Sequence, residues 1–324
     1  FGRWLLSVKV THEPARCVHR IPEVFDTSGT PMVITRTSFR TPPTTYDSPM
    51  DLNGAGTVVT GASGGIGDAL VRRFHAAGAK VVASDVNADG ITALTAELNA
   101  VRPQSVLAVV ADVSTEEGNR ELVAVSRQFL ESDQGPGLDL FFANAGIGGG
   151  TLLESTTEAQ WDLAFAVNIH AHRWAMKYLV TDWLARGRGY FCSTASAAGL
   201  LSQIGSGPYS VTKHAAVAFA EWVSITYGDR GIKVSCLCPQ GVNTNMLRQS
   251  DDSGFAGATN VVRTAGVVLE PSDVAEVVAT AIADERFLIL PHPEVADYEQ
   301  RKAADRERWL AGMRKLQARV FGSS

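Results

Sequence analysis

The chain has 324 residues, a net charge of −5, 45% hydrophobic residues and 19% charged residues. This profile describes a globular protein with an ample core rather than a disordered or membrane chain. No apolar run reaches the ~18 residues that a membrane-spanning helix needs, and no basic stripe in the central region points to nucleic acid as a partner.

Residues 1–49 are rich in Pro, Thr and Arg and lack a sustained apolar period. They read as an N-terminal extension that is disordered, a targeting leader or upstream non-native sequence. Glu13, Glu23 and Asp26 argue against a transit peptide. The pattern changes at Met50. Strand-like runs then occur at Thr57–Thr60, Lys80–Ser84, Val106–Val110, Leu138–Ala143, Gly189–Ser193, Ile232–Leu237 and Phe287–Leu290. Helical stretches separate them, such as Ile66–Ala77, which Gly78 terminates. Near-continuous apolar strands alternating with amphipathic helices predict βαβ units. The expected fold is therefore α/β: a Rossmann-type doubly wound parallel sheet of about seven strands in a single domain spanning 50–293. Residues 294–324 form a C-terminal helical extension, whose stretch Tyr298–Val320 is expected to keep one face solvated and to pack on a partner subunit or over the site.

The four cysteines, Cys17, Cys192, Cys236 and Cys238, suggest no disulfide framework, and reduced thiols in a cytoplasmic protein are expected. Cys236 and Cys238 are expected to face opposite sides of their strand, with neither a bridge nor a shared metal. His170 and His172 lack Cys or carboxylate partners at ligand spacing, so no metal site is expected.

The first strand runs into Thr60-Gly61-Ala62-Ser63-Gly64-Gly65-Ile66-Gly67 and then a helix. Glycines let the backbone turn tightly and approach a pyrophosphate, and the helix N-terminus offers free N–H groups to it. The spacing is Gly-x-x-x-Gly-x-Gly, at Gly61, Gly65 and Gly67. It resembles the short-chain dehydrogenase/reductase family, and the resemblance continues to about Leu290. Asp85 ends the second strand where a carboxylate can accept from ribose hydroxyls and repel a 2′-phosphate. Position 64 is Gly, where many NADP-preferring relatives carry Arg, so NAD is the expected cofactor.

The resemblance implies further cofactor contacts. They fall at Ser63 and Ile66 in the turn, Asp112 and Val113 after the third strand, and Asn144, Ala145 and Gly146 after the fourth. Pro239, Val242 and Thr244 follow the sixth strand. The family's usual Gly after Pro239 is Gln240 here, a departure that affects the local backbone.

Tyr209 and Lys213 form the family's Tyr-x-x-x-Lys, and at i and i+4 they share a helix face. A nearby lysine cation and a positive nicotinamide are expected to lower the tyrosine pKa toward working pH. The resemblance makes Tyr209 the proton-transfer group, Ser196 the substrate-orienting hydroxyl and Asn168 the holder of a relay water. Ser193 and Thr194 are rivals to Ser196 by position.

The expected function is NAD(H)-dependent interconversion of a secondary alcohol and a ketone, on a small-molecule substrate that is mainly apolar. Leu200, Leu201 and Ile204 would form its wall, and Met246, Leu247 and Phe255, within a mobile loop 245–266, its roof. The family implies a homodimer or homotetramer. Two rival readings differ in class. A sugar-nucleotide epimerase or dehydratase shares Tyr-x-x-x-Lys but has other glycine spacing and a larger C-terminal domain. A non-catalytic NAD sensor or scaffold would share the fold without turnover.

Overall fold

The hydrophobic runs that end in Gly, Asn or Asp become the strands of one parallel sheet, and the amphipathic stretches cross over between them. The computed structural model describes residues 49–132, 135–252 and 266–321. The N-terminal extension up to residue 48 and the loop residues 253–265, Phe255 included, lie outside the described residues.

The chain runs β1 Gly56–Thr60, α1 Gly65–Ala76, β2 Lys80–Asp85, α2 Ala88–Val101, β3 Val106–Val110, α3 Glu116–Glu131 and β4 Leu140–Ala143. Then come α4 Glu158–Phe165, a π-helical turn Ala166–His170, α5 Ala171–Arg186, β5 Gly189–Thr194, α6 Ala198–Leu201, α7 Gly207–Tyr227 and β6 Ile232–Leu237. α8 Asn245–Asp252, α9 Pro271–Ala283, β7 Leu288–Ile289, α10 Glu294–Ala304 and α11 Arg306–Phe321 complete it. The described residues belong to one compact unit, and none of their helices is long and apolar enough to cross a membrane.

The sheet order is β3-β2-β1-β4-β5-β6-β7, with every pairing parallel. Chain direction across the sheet reverses between β1 and β4, and the crevice at their carboxyl ends is where open α/β sheets bind ligands. The sheet has a core on each face. On one, Leu70, Val71 and Phe74 of α1 and Ile91 and Leu94 of α2 pack with Val274, Val278 and Ile282 of α9. On the other, Leu122 and Leu130 of α3 and Leu179 and Trp183 of α5 pack with Val217 and Val223 of α7. Val58, Val59, Val81 and Val82 are fully buried between the two layers, as a doubly covered parallel sheet requires.

Three expectations change. Cys236 and Cys238 share a face, with their Sγ atoms 3.9 Å apart, because strand side chains alternate and positions i and i+2 point the same way. The start of the expected loop, Asn245–Asp252, is a helix. The C-terminal stretch divides into two helices: α10 buries Val295 in the core beside α7, whereas α11 buries none of its residues.

Candidate active site

The glycine turn between β1 and α1 is built by close contacts. Gly65 has φ +54°, and a Cβ there would lie 2.9 Å from Cγ2 of Thr244. A Cβ on Gly67 would lie 1.9 Å from the Gly61 carbonyl oxygen, so α1 can begin this close to β1 only with glycine at that position. The turn is held from β2. Asp85 accepts the Ser63 N–H and the Asn87 N–H, both at 3.0 Å, and the Asn87 side chain caps α2 through the Gly90 N–H.

Across the switch point, Asn144 joins three strands. Its amide nitrogen donates to the Thr60 carbonyl at 3.0 Å, and its oxygen accepts from the Thr194 hydroxyl at 3.0 Å. The Thr60 hydroxyl in turn accepts the Asn144 and Ala145 N–H groups. The sequence reading took Thr60 only as the start of the glycine turn and Thr194 only as a rival to Ser196; their joint hold on Asn144 escaped it. The available signal was a hydroxyl at the carboxyl end of each central strand, and only the sheet order brings the two together.

Asn168 sits in the π-helical turn and is fully buried. Its Oδ1 accepts the Ile147 N–H at 2.9 Å, and its Nδ2 donates to the Ile147 carbonyl at 3.0 Å and to the Thr212 hydroxyl at 3.1 Å. The side chain thus clamps the segment after β4 to the helix that carries Lys213. Extra-residue turns of this kind recur inside helices at functional sites.

Tyr209 and Lys213 lie on one face of α7, with the Lys213 Nζ 5.6 Å from the Tyr209 ring centroid. Lys213 is buried and donates to the Thr194 carbonyl at 2.9 Å. Burial lowers its pKa to about 8, with the neighbouring Cys236 and Cys238 thiols acting the other way. Burial pushes the Tyr209 hydroxyl above its ordinary value, against the pull of the Ser196 hydroxyl. The expected lowering of Tyr209 is therefore not produced by the protein's own groups, because desolvation of the phenolate outweighs them. Ser196 accepts the Ala198 N–H at 3.1 Å and donates to the Pro239 carbonyl at 3.4 Å. Its rival Ser193 pairs with the buried His172 ring at 3.0 Å.

The glycine turn, Asn144, Ser196, Tyr209 and Lys213 converge on one cavity of about 430 Å³, which the buried Asn168 does not line. Its lining includes Gly61, Ser63, Gly65, Ile66 and Gly67 from the turn and Asp85 from β2. Asn144, Ala145 and Gly146 join Ser196, Tyr209 and Lys213, with Pro239, Val242 and Thr244 on the far side. Asp112 and Val113 do not line it: the Asp112 carboxylate accepts the Ser114 N–H, and Val113 is core. Leu200, Leu201 and Ile204 are also absent from the wall: Leu200 and Leu201 pack into the core beside α7, and Ile204 is buried. Met246 and Leu247, expected in the roof, do line the cavity, and Gln203, Ser206 and Gln240 stand where the apolar wall was expected.

Gln240 and its neighbours are fixed by His292, which the sequence reading missed. Its Nδ1 accepts the Gln240 N–H at 3.1 Å, so its Nε2 carries the hydrogen that faces the Gly241 and Val267 carbonyls at 3.1 and 3.0 Å.

The geometry has its counterpart in sequence comparison. A family model for short chain dehydrogenases matches residues 56–253. The chain belongs to the short-chain dehydrogenase/reductase family of oxidoreductases. It is 34% identical over 249 residues to a 1-deoxy-11-beta-hydroxypentalenate dehydrogenase of Streptomyces exfoliatus, covering 76% of this chain and 86% of that one. It is 29% identical over 243 residues to a 3beta-hydroxysteroid dehydrogenase 2 of Eggerthella lenta, covering 74% and 91%. A short-chain dehydrogenase/reductase of Burkholderia phymatum, solved in complex with NAD, matches at 27% identity and a TM-score of 0.71, over 80% of this chain and 96% of that one.

Proposed function

We propose that this short-chain dehydrogenase/reductase interconverts a secondary alcohol and a ketone with NAD(H). The observation that carries the reading is the convergence of Ser196, Tyr209 and Lys213 with the Gly61–Gly67 turn and Asp85 on one cavity.

The residues present fit a dinucleotide. The close packing around Gly65 and Gly67 leaves backbone N–H groups at the start of α1 for a pyrophosphate. Asp85, held by two backbone N–H groups, presents its carboxylate to the adenosine ribose. No cation offsets that charge at position 64, which is Gly, or at position 86, which is an exposed Val. This supports NAD over NADP. A bound nicotinamide supplies the hydride for reduction or accepts it in oxidation.

The chain's own residues handle the proton. Tyr209 donates to the carbonyl oxygen in reduction and accepts from the alcohol in oxidation. Ser196 hydrogen-bonds that oxygen as charge develops on it. Lys213, held by the Thr194 carbonyl, keeps a positive charge beside Tyr209 and donates toward the ribose hydroxyls. Asn168 acts behind them by fixing the segment after Gly146.

The substrate we favour has an apolar body against Met246 and Leu247, with Gln203 and Ser206 available to a polar substituent. Trp222, 53% exposed, and Ile225, 84% exposed, both on α7, support a homo-oligomer. Following NADH oxidation with cyclohexanone, diacetyl, acetophenone and a ketosteroid, and repeating it with NADPH, tests the reading. Turnover of at least one ketone with NADH is expected. NADH binding without turnover of any would favour a sensor.

A further inference from the structure

Lys302 of α10 is buried, although its helix belongs to the C-terminal extension rather than to the nucleotide fold. Its Nζ donates to the Leu200 carbonyl at the end of α6 and reaches Nε2 of His214 at 3.4 Å. Nδ1 of His214 lies 2.8 Å from the Ser210 carbonyl, which can only accept. Nδ1 therefore carries the hydrogen, and Nε2 is free to accept from Lys302. The chain of contacts continues. The Ser210 hydroxyl accepts the Gln203 N–H at 2.8 Å and donates to the Gln203 carbonyl at 3.1 Å. Gln203 lines the cavity together with Ser206, Ser196 and Tyr209.

The ammonium thus holds both ends of one small unit. One end is α6, whose Gly199 packs so tightly on α7 that a Cβ would lie 2.5 Å from the Lys213 carbonyl oxygen. The other is the first turns of α7, which fix the backbone of Gln203. A lysine stem would bury its carbons and send its charge to water wherever it could. Here the charge instead meets a carbonyl and an imidazole, and no carboxylate among the described residues is bonded to it.

We propose that α10 braces the substrate wall from behind, with Lys302 as a positioning residue that sets the geometry of the 199–206 segment and so the affinity for the ketone. The inference rests on the ketone-reductase reading only for its kinetic arm. Lys302 touches neither the glycine turn nor Asp85, so cofactor affinity should change little when it is replaced.

The test uses the full chain with Lys302→Met, which keeps the stem and removes the donors, and Ser210→Ala, which removes the last link to Gln203. Three quantities are measured: KM and kcat for the best ketone of the panel, the NADH dissociation constant, and amide hydrogen exchange across 199–206. Lys302→Met is expected to raise the ketone KM by about fivefold or more, with kcat and NADH affinity within about twofold. Exchange in 199–206 should quicken whether or not any ketone is turned over. Ser210→Ala should show the same split, and it decides alone if Lys302→Met does not fold. If no ketone is turned over, the exchange result stands by itself. Unchanged exchange, or a fall in kcat with the ketone KM intact, would overturn the proposal.

Discussion

The carboxylate of Asp85 accepts the N–H of Ser63 at 3.0 Å, which ties the end of the second strand to the glycine turn after the first. The same carboxylate is the group we propose to select the cofactor. Asp85→Asn keeps an acceptor oxygen for the turn and removes the charge. The ratio of kcat/KM for NADH over NADPH should fall by about tenfold or more, a change of ~1.4 kcal/mol. Steady-state kinetics with both cofactors measure it, and an NADPH preference in the unmutated enzyme would contradict the assignment.

Asn168 satisfies both backbone groups of Ile147 from within the π-helical turn. Asn168→Ala leaves those groups and the Thr212 hydroxyl short of partners. A destabilisation of about 1–3 kcal/mol is expected from unpaired polar groups. Chemical denaturation measures it. Turnover should fall with it, since Gly146 and Lys213 then lose a fixed neighbour.

Lys213 makes a pH prediction with a definite sign. Burial lowers it from its ordinary 10.5 to about 8, which corresponds to a cost of roughly 3 kcal/mol for holding the charge in the folded protein below that pH. Between pH 8 and 10.5 the unfolded chain binds the proton and the folded one does not, so this group makes stability rise with pH. Lys213→Met removes the cost but leaves the Thr194 carbonyl without its donor, which costs about 1–3 kcal/mol. At neutral pH the variant should be inactive yet as stable as the parent, or more so by up to ~2 kcal/mol. That advantage should shrink as pH rises above 8. Melting curves of both proteins across that range check it, and a constant difference would refute the buried charge.

Met50 and Leu52 are buried in the core with Leu70 and Phe74. A chain beginning at Met50 should therefore keep its melting temperature within a few degrees and retain activity, because the apolar pattern of the fold is complete from that point. A large loss of either would show that residues 1–49 contribute to the core.

The parallel sheet, the glycine turn and the Ser196, Tyr209 and Lys213 constellation were legible because each rests on local spacing. Short continuous apolar runs mark the strands, i and i+4 mark the helix pair, the turn falls at a strand-to-helix junction, and the family resemblance points to Ser196. Features that depend on packing between distant segments were not. The core position of Val113 follows from how α3 lies on the sheet, and that of Leu200 from how α6 lies on α7. The acceptor for Lys213 is a backbone carbonyl, which no side-chain pattern announces. His292 lies 52 residues beyond its partner Gln240, and Lys302 lies 102 beyond Leu200. Cys236 and Cys238 are a different case, since the strand period itself places them on one face.

Proton transfer by Tyr209 is probed by Tyr209→Phe. The variant keeps the ring beside Lys213 and loses the phenolic hydroxyl, with its transferable proton and its bond to Ser196. NADH affinity, followed by fluorescence titration, should stay within about twofold while kcat for the best ketone falls by ~10²–10⁴. Retention of more than about a tenth of the parent kcat, with NADH bound normally, would show that Tyr209 does not transfer the proton.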